Sequence, residues 1–286
     1  MSFKKVILSE NEMDEKVAEF RKWIKEQPQL PQNIEKMLLL RYLKTYNFNL
    51  ERAQKLIAYS FDIRAKNQHI FTDRDPESPA LQNVLNVCEI VPMSKATSDN
   101  YKVCILRLID YDSRNFVFND VVKAFFTFAD LRLVSPDPNP ELADGEIPIF
   151  DMKGLSIWHL FKINFATLKL YFKYVQEAHP VRVQQCHIVN CTPLLSRVMS
   201  LVRPLLKPEV AARLQFHSPN SDTIFKFIPR DILPEEYGGT AGSIVDMKEH
   251  WFKKLLAKRD YLRNDSNWII SKIDDNNNNI IDNEFE

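Results

Sequence analysis

KVCILRLID at 102–110, EIPIFDM at 146–152 and QCHIVN at 185–190 decide the fold of this chain. Each is a short, nearly unbroken apolar run. Each is followed by a longer segment with helical periodicity, at 119–133, 165–177 and 193–206. Such runs predict strands buried on both faces, and strands alternating with helices predict a mostly parallel sheet. RLQFH at 213–217 is a further candidate strand, and a short helix is expected to start at 222–227.

Upstream of this pattern, residues 1–75 read as helical. Ser9 with Glu12 makes a capping box, and Met13, Val17, Phe20 and Ile24 repeat at helical spacing until Pro28 and Pro31. Asn33 and Asn49 are the expected caps of a second and a third helix. Pro76, Pro79 and Pro92 stand among polar residues, so 76–98 reads as a linker to an α/β domain at 99–245. A last helix is expected within 246–264, followed by a mobile acidic, Asn-rich tail at 265–286.

Composition excludes several functions. Formal net charge is zero, so no global field draws the chain to nucleic acid. The five glycines form neither a phosphate-cradling motif nor a hydrolase elbow. The four cysteines and six histidines lack metal-ligand spacing, so no metal or cofactor is expected. Asp151, at a strand end, has neither a nucleophile nor a metal beside it and reads as a turn cap. His187 reads as a satisfied core residue or a polar contact to a ligand. No catalytic residue is expected. No run reaches 18 apolar residues and no signal peptide is visible, so a cytoplasmic chain is expected.

Three stretches, in order, resemble the CRAL-TRIO family of lipid-transfer proteins, in particular its tocopherol-transfer and retinaldehyde-binding branch. They are LLLRYLKTYNFNLERAQKLI at 38–57, IFDMKG at 149–154, and the set HIVN (187–190), RPLL (203–206) and LPEEYGG (233–239). The resemblance implies an N-terminal helical domain beside an α/β domain with a mixed, mainly parallel sheet. It also implies a lipid ligand held between that sheet and a helical lid.

The aromatic content agrees with such a pocket: Phe is 19 of 286 residues. The helix at 119–133 is apolar on two faces, and a helix lying on a sheet needs only one. A large, fully packed core has the same look. By the resemblance, the counterparts of Phe125, Ala129, Trp158, Phe161, Ile188 and Leu194 face the ligand. Phe126, Leu133, Ile149, Leu155, Phe165, Val198 and Leu201 complete the expected wall. The lid is expected at 193–210, with Leu195, Val202 and Leu205 on its apolar stripe and a break at Pro204. An ordinary surface helix with a proline kink has the same pattern. Enclosing roughly 400–500 Å² of apolar ligand is worth about 10–12 kcal/mol gross, enough for tight carriage.

In that branch a basic cleft binds phosphoinositide headgroups. Arg182 and Arg213 match basic positions of the cleft, whereas Gln184 and Glu209 stand where the family has Lys or Arg; Arg203 and Lys207 are candidate replacements. The expected function is carriage of one tocopherol-like, retinoid or carotenoid lipid, with transient membrane contact and release triggered by phosphoinositide. The alternative is a membrane-recruited interaction module without a dedicated cargo.

Overall fold

The capping box predicted at Ser9 opens the first helix, α1 (Glu10–Lys25): its hydroxyl accepts the Glu12 amide and the Glu12 carboxylate accepts the Ser9 amide. The computed structural model describes Val6 and residues 8–269. Next come α2 (Lys36–Thr45) and α3 (Leu50–Lys66), the latter capped by Asn49 as expected. Asn33 does not cap α2, whose capping position is Glu35, with no side-chain bond. Between α2 and α3, Asn47 and Phe48 take left-handed φ values of 51° and 61°. The Phe48 amide closes that turn on the Leu43 carbonyl at 2.7 Å.

The expected linker is not one. After α4 (Gln68–Phe71), residues 76–98 hold α5 (Pro79–Val87) and the strand β1 (Cys88–Ala96). Pro79 lies in the first turn of α5 behind the Ser78 cap, where its missing N–H costs nothing. Pro92 lies on a strand that pairs with one neighbour only, so a proline there is tolerated.

Among the described residues five strands form one sheet in the order β1, β2 (Tyr101–Leu108), β3 (Gly145–Asp151), β4 (Cys186–Val189), β5 (Leu214–Phe216). β1 runs antiparallel to β2 and the remaining pairs are parallel. Side chains alternate between two faces. Val103, Ile105, Ile147, Ile149 and Val189 pack with Ile224, Ile228 and Ile244, beneath the 3₁₀ turn Asp222–Lys226 and α11 (Ile244–Ala257). Cys104, Leu106, Phe150, Cys186 and Ile188 belong to the opposite face, whose neighbours include α6 (Phe118–Val134).

The helical segment does not stand apart from the sheet. One core runs from Val17 and Phe20 through Leu131 and Leu133 to Leu255 and Trp268. The buried Arg41 of α2 caps the C-terminus of α6, donating to the carbonyls of Leu133 at 2.6 Å and Ser135 at 2.8 Å and pairing with Asp137 at 2.8 Å. A cation at that helix end also complements its dipole.

The expected tail is corrected in part. After α12 (Arg259–Arg263), Trp268 is fully buried, its indole lying 4.8 Å from the Arg74 guanidinium and 5.2 Å from that of Arg64. A tryptophan that finds two buried cations anchors the chain where composition alone predicts none. Residues 270–286 of the expected tail lie outside the described residues.

Candidate functional site

The lid begins directly after β4. Its helix α9 (Leu195–Val202) gives way to a 3₁₀ turn at Arg203–Leu205, the break expected at Pro204, and α10 (Pro208–Ala211) leads into β5. No residue of α9 is fully buried. Leu194, Leu195 and Val198 pack against Met152, Cys186 and Ile188, while Leu201, Val202 and Leu205 remain half-buried. The far end of the lid is fastened to α8 (Phe165–Glu177). There Gln176 donates to the Leu205 carbonyl at 2.9 Å and accepts the Lys207 amide at 2.8 Å.

The expected wall divides. Phe125, Leu155, Ile188, Leu194 and Val198 border this lid-side face, and Ala129 is buried on α6. Phe126 does not: it is fully buried between Phe71 at 4.8 Å and Tyr174 at 5.0 Å. Leu133 is core beside Arg41. Ile149 lies on the opposite face of the sheet, because strand parity places Phe150 toward the lid instead. Trp158, next to Ser156 on α7 (Ile157–Leu160), is 64% exposed; Phe161 is 72% and Phe165 54%.

His187 lies between Cys186 and Ile188, whose side chains take the opposite face of β4. On the face turned away from the lid, its ring stacks on His217, with Nδ1 2.9 Å from His217 Nε2 and Nε2 3.1 Å from Gln185 Oε1. Burial depresses it to about 4. Asp151 caps its turn as expected, accepting the Lys153 amide, the Asn190 side chain and the Tyr237 hydroxyl. Among the described residues no group of three or more side chains is arranged to hold a metal, and no helix is long and apolar enough to cross a membrane.

The four expected headgroup cations are engaged differently. Lys207 pairs with Glu177 at 3.2 Å, Arg213 donates to the Val183 carbonyl at 2.6 Å, and Arg203 is exposed on the lid. Arg182 lines a cleft of about 1210 Å³, together with residues of the α2–α3 turn, 98–101, 139–144 and 180–184. Gly145 allows β3 to approach that last segment, since a Cβ there would meet Gln184 and the Arg182 carbonyl. Arg41 and Lys44 of the cleft are neutralised by Asp137 and Asp144. Arg52 and Arg182 have no carboxylate partner among the described residues, and their guanidiniums lie 5.9 Å and 5.3 Å from the Tyr46 ring.

A family profile described as "CRAL/TRIO domain" matches residues 87–239. The chain belongs to the CRAL/TRIO family. A second profile, "Pinta-like, UBA domain", matches residues 9–81. "Alpha-tocopherol transfer protein-like" of Mus musculus is 25% identical over 236 residues, 82% of this chain and 67% of the relative. "Clavesin-1" of Rattus norvegicus is 27% identical over 221 residues, 77% of this chain and 60% of the relative. The crystal structure of Sfh5 shares the fold, with a TM-score of 0.53 at 15% identity, over 90% of this chain and 99% of that one. The CRAL/TRIO profile starts one residue before β1, so the strand inside the expected linker is the first element of the family domain.

Residues that sequence reading missed in this CRAL/TRIO fold are Phe150, Arg52 and the exact start of the sheet at Cys88. Phe150 carries no linear signal, because a strand that is apolar on both faces hides its parity. Arg52 carries no linear signal, because it meets Arg182 only across the cleft.

Proposed function

We propose that this CRAL/TRIO chain carries one small apolar lipid under the lid at 193–210. The observation that carries the reading is the lid itself: an apolar helix with no fully buried residue, in a fold that also leaves Trp158, Phe161 and Phe165 more than half exposed. Exposed greasy surface of this kind marks a site for a ligand or a membrane. A tocopherol-like, retinoid or carotenoid cargo fits that chemistry, and the name of the Mus musculus relative points the same way. No catalytic role is part of this reading.

The cleft supports release at membranes. Arg52 and Arg182 have no carboxylate partner among the described residues and lie near Tyr46, an arrangement able to hold a phosphorylated headgroup through charge-assisted bonds. Transfer of a fluorescent tocopherol analogue between vesicles tests both parts. The wild type is expected to accelerate transfer, and faster still when acceptor vesicles contain a phosphoinositide. Arg52→Ala with Arg182→Ala is expected to keep the basal rate and lose the phosphoinositide gain, roughly a hundredfold for two charge-assisted contacts of about 1.5 kcal/mol each. Equal gains in the two proteins would remove the cleft from the account. No transfer by the wild type would count against the carrier.

A further inference from the structure

A pocket for a purely hydrocarbon cargo needs no polar side chain, yet among the described residues one half-buried hydroxyl on α8 is left without a use. Near the lid, α6 and α8, the hydroxyls of Thr167, Tyr174 and Ser196 are bonded to protein partners. Thr127 donates to the Lys123 carbonyl at 2.9 Å, Ser156 contacts the His159 ring at 2.8 Å, and Ser200 donates to the Arg197 carbonyl at 2.7 Å. Each is spent within its own helix or turn. Tyr171 differs: its hydroxyl has no hydrogen-bond partner among the described residues. Its ring stands edge-on to Phe125 at 4.9 Å and to Phe172 at 5.2 Å.

The phenol is also deep. Burial pushes its ionisation far above the ordinary value, and the next influences on it are Cys186, Cys104 and Glu146, on the sheet strands β4, β2 and β3. Cys186 belongs to the cluster on which the lid rests. Even so, Tyr171 is only half-buried and its oxygen is not among the sealed, partnerless atoms. The surface that it keeps leaves the hydroxyl reachable by a ligand. An unpaired phenol in apolar surroundings costs free energy unless something satisfies it.

We infer that Tyr171 is the polar contact of the lipid site, its hydroxyl bonding a single uncharged oxygen at the inner end of an otherwise apolar lipid. This rests on the carrier reading and narrows it. A phenol both donates and accepts, so a hydroxyl or a carbonyl on the ligand is suitable. A charged headgroup is not, since Tyr171 brings no countercharge. Among isoprenoids the site therefore favours alcohols, phenols and aldehydes over plain hydrocarbons.

Tyr171→Phe removes only the oxygen. Because that oxygen bonds nothing among the described residues, the delipidated variant is expected to melt at or above the wild type. Retention of phytol and of its hydrocarbon counterpart phytene on gel filtration, over a concentration series and read by mass spectrometry, measures the preference. The wild type is expected to hold phytol about tenfold more tightly than phytene, the worth of one buried hydrogen bond. The variant should lose that factor for phytol and keep its affinity for phytene. An undiminished phytol preference in the variant, or a lowered melting point in its delipidated form, would overturn the assignment while leaving the carrier intact. A wild type that retains neither lipid, nor any component of a total cell-lipid extract, would overturn the carrier reading and this assignment with it.

Discussion

Asp130→Asn is expected to lower the thermal midpoint by roughly 10 °C, the consequence of losing about 3–5 kcal/mol when a buried ion pair is broken from one side. Asp130 sits on α6 and accepts both guanidinium nitrogens of Arg64 at 2.7 Å, with Arg74 bound to the same carboxylate. All three side chains are buried. Burial alone would raise the Asp130 carboxyl, but the charges of Arg64 and Arg74 overcome it and hold it below its ordinary value. Removing that charge leaves two guanidiniums facing each other under Trp268 with no anion. The cluster joins α3, the loop after α4, α6 and the C-terminal turn, so its loss loosens helical segment and sheet together. Chemical denaturation of the variant measures it. A change of less than about 1 kcal/mol, typical of an exposed pair, would show that the cluster is solvated instead.

Acidification from pH 7 to pH 5 is expected to remove about 2 kcal/mol of stability through His187 alone. Its ordinary value is 6.5 and burial holds it near 4 in the fold, with His217 as the second cause. The folded chain therefore binds fewer protons than the unfolded one between those values. Stability is complete above pH 6.5 and declines as pH falls toward 4. His217 and His179 are depressed by burial as well and act in the same direction. Asp137 and Glu146, held near 2, contribute only below their unfolded values of 3.8 and 4.5, so the upper part of the window belongs to the histidines. The physical cause is the cost of charging an imidazole that the fold seals from water beside a second one. Unfolding free energy measured at pH 7, 6 and 5 reads the slope; a flat profile over that range would mean the pair is open to water.

Much of this fold was legible in the sequence because β2, β3 and β4 are continuous apolar runs and their crossover helices keep strict periodicity. Those signals survive without tertiary context. Pro79 and Pro92 misled, since a proline breaks an element only where its missing N–H is needed. At a first helical turn and on a sheet edge it is not. Ile149 was misassigned for a different reason. A fully buried strand has apolar residues on both faces, so hydrophobicity cannot reveal its parity, and Phe150 takes the lid side. Phe126 illustrates the same ambiguity on a helix: of two apolar faces on α6, one serves a neighbouring segment, α4, that linear reading does not place beside it.

Polar residues were harder. Arg203, Lys207 and Arg213 are close in sequence, but Lys207 finds Glu177 on α8 and Arg213 finds a carbonyl. The cleft cations without a carboxylate partner among the described residues are Arg182 and Arg52, far apart in sequence. Trp268 follows the same rule, since its burial depends on Arg64 and Arg74, which no local pattern connects to it.

The most direct measurement is the lipid content of the purified chain. Organic extraction followed by mass spectrometry, before and after exposure to a total cell-lipid extract, is predicted to yield one oxygen-bearing isoprenoid in near-equimolar amount. Protein that stays free of lipid under both conditions would contradict the claim that the lid covers a cargo.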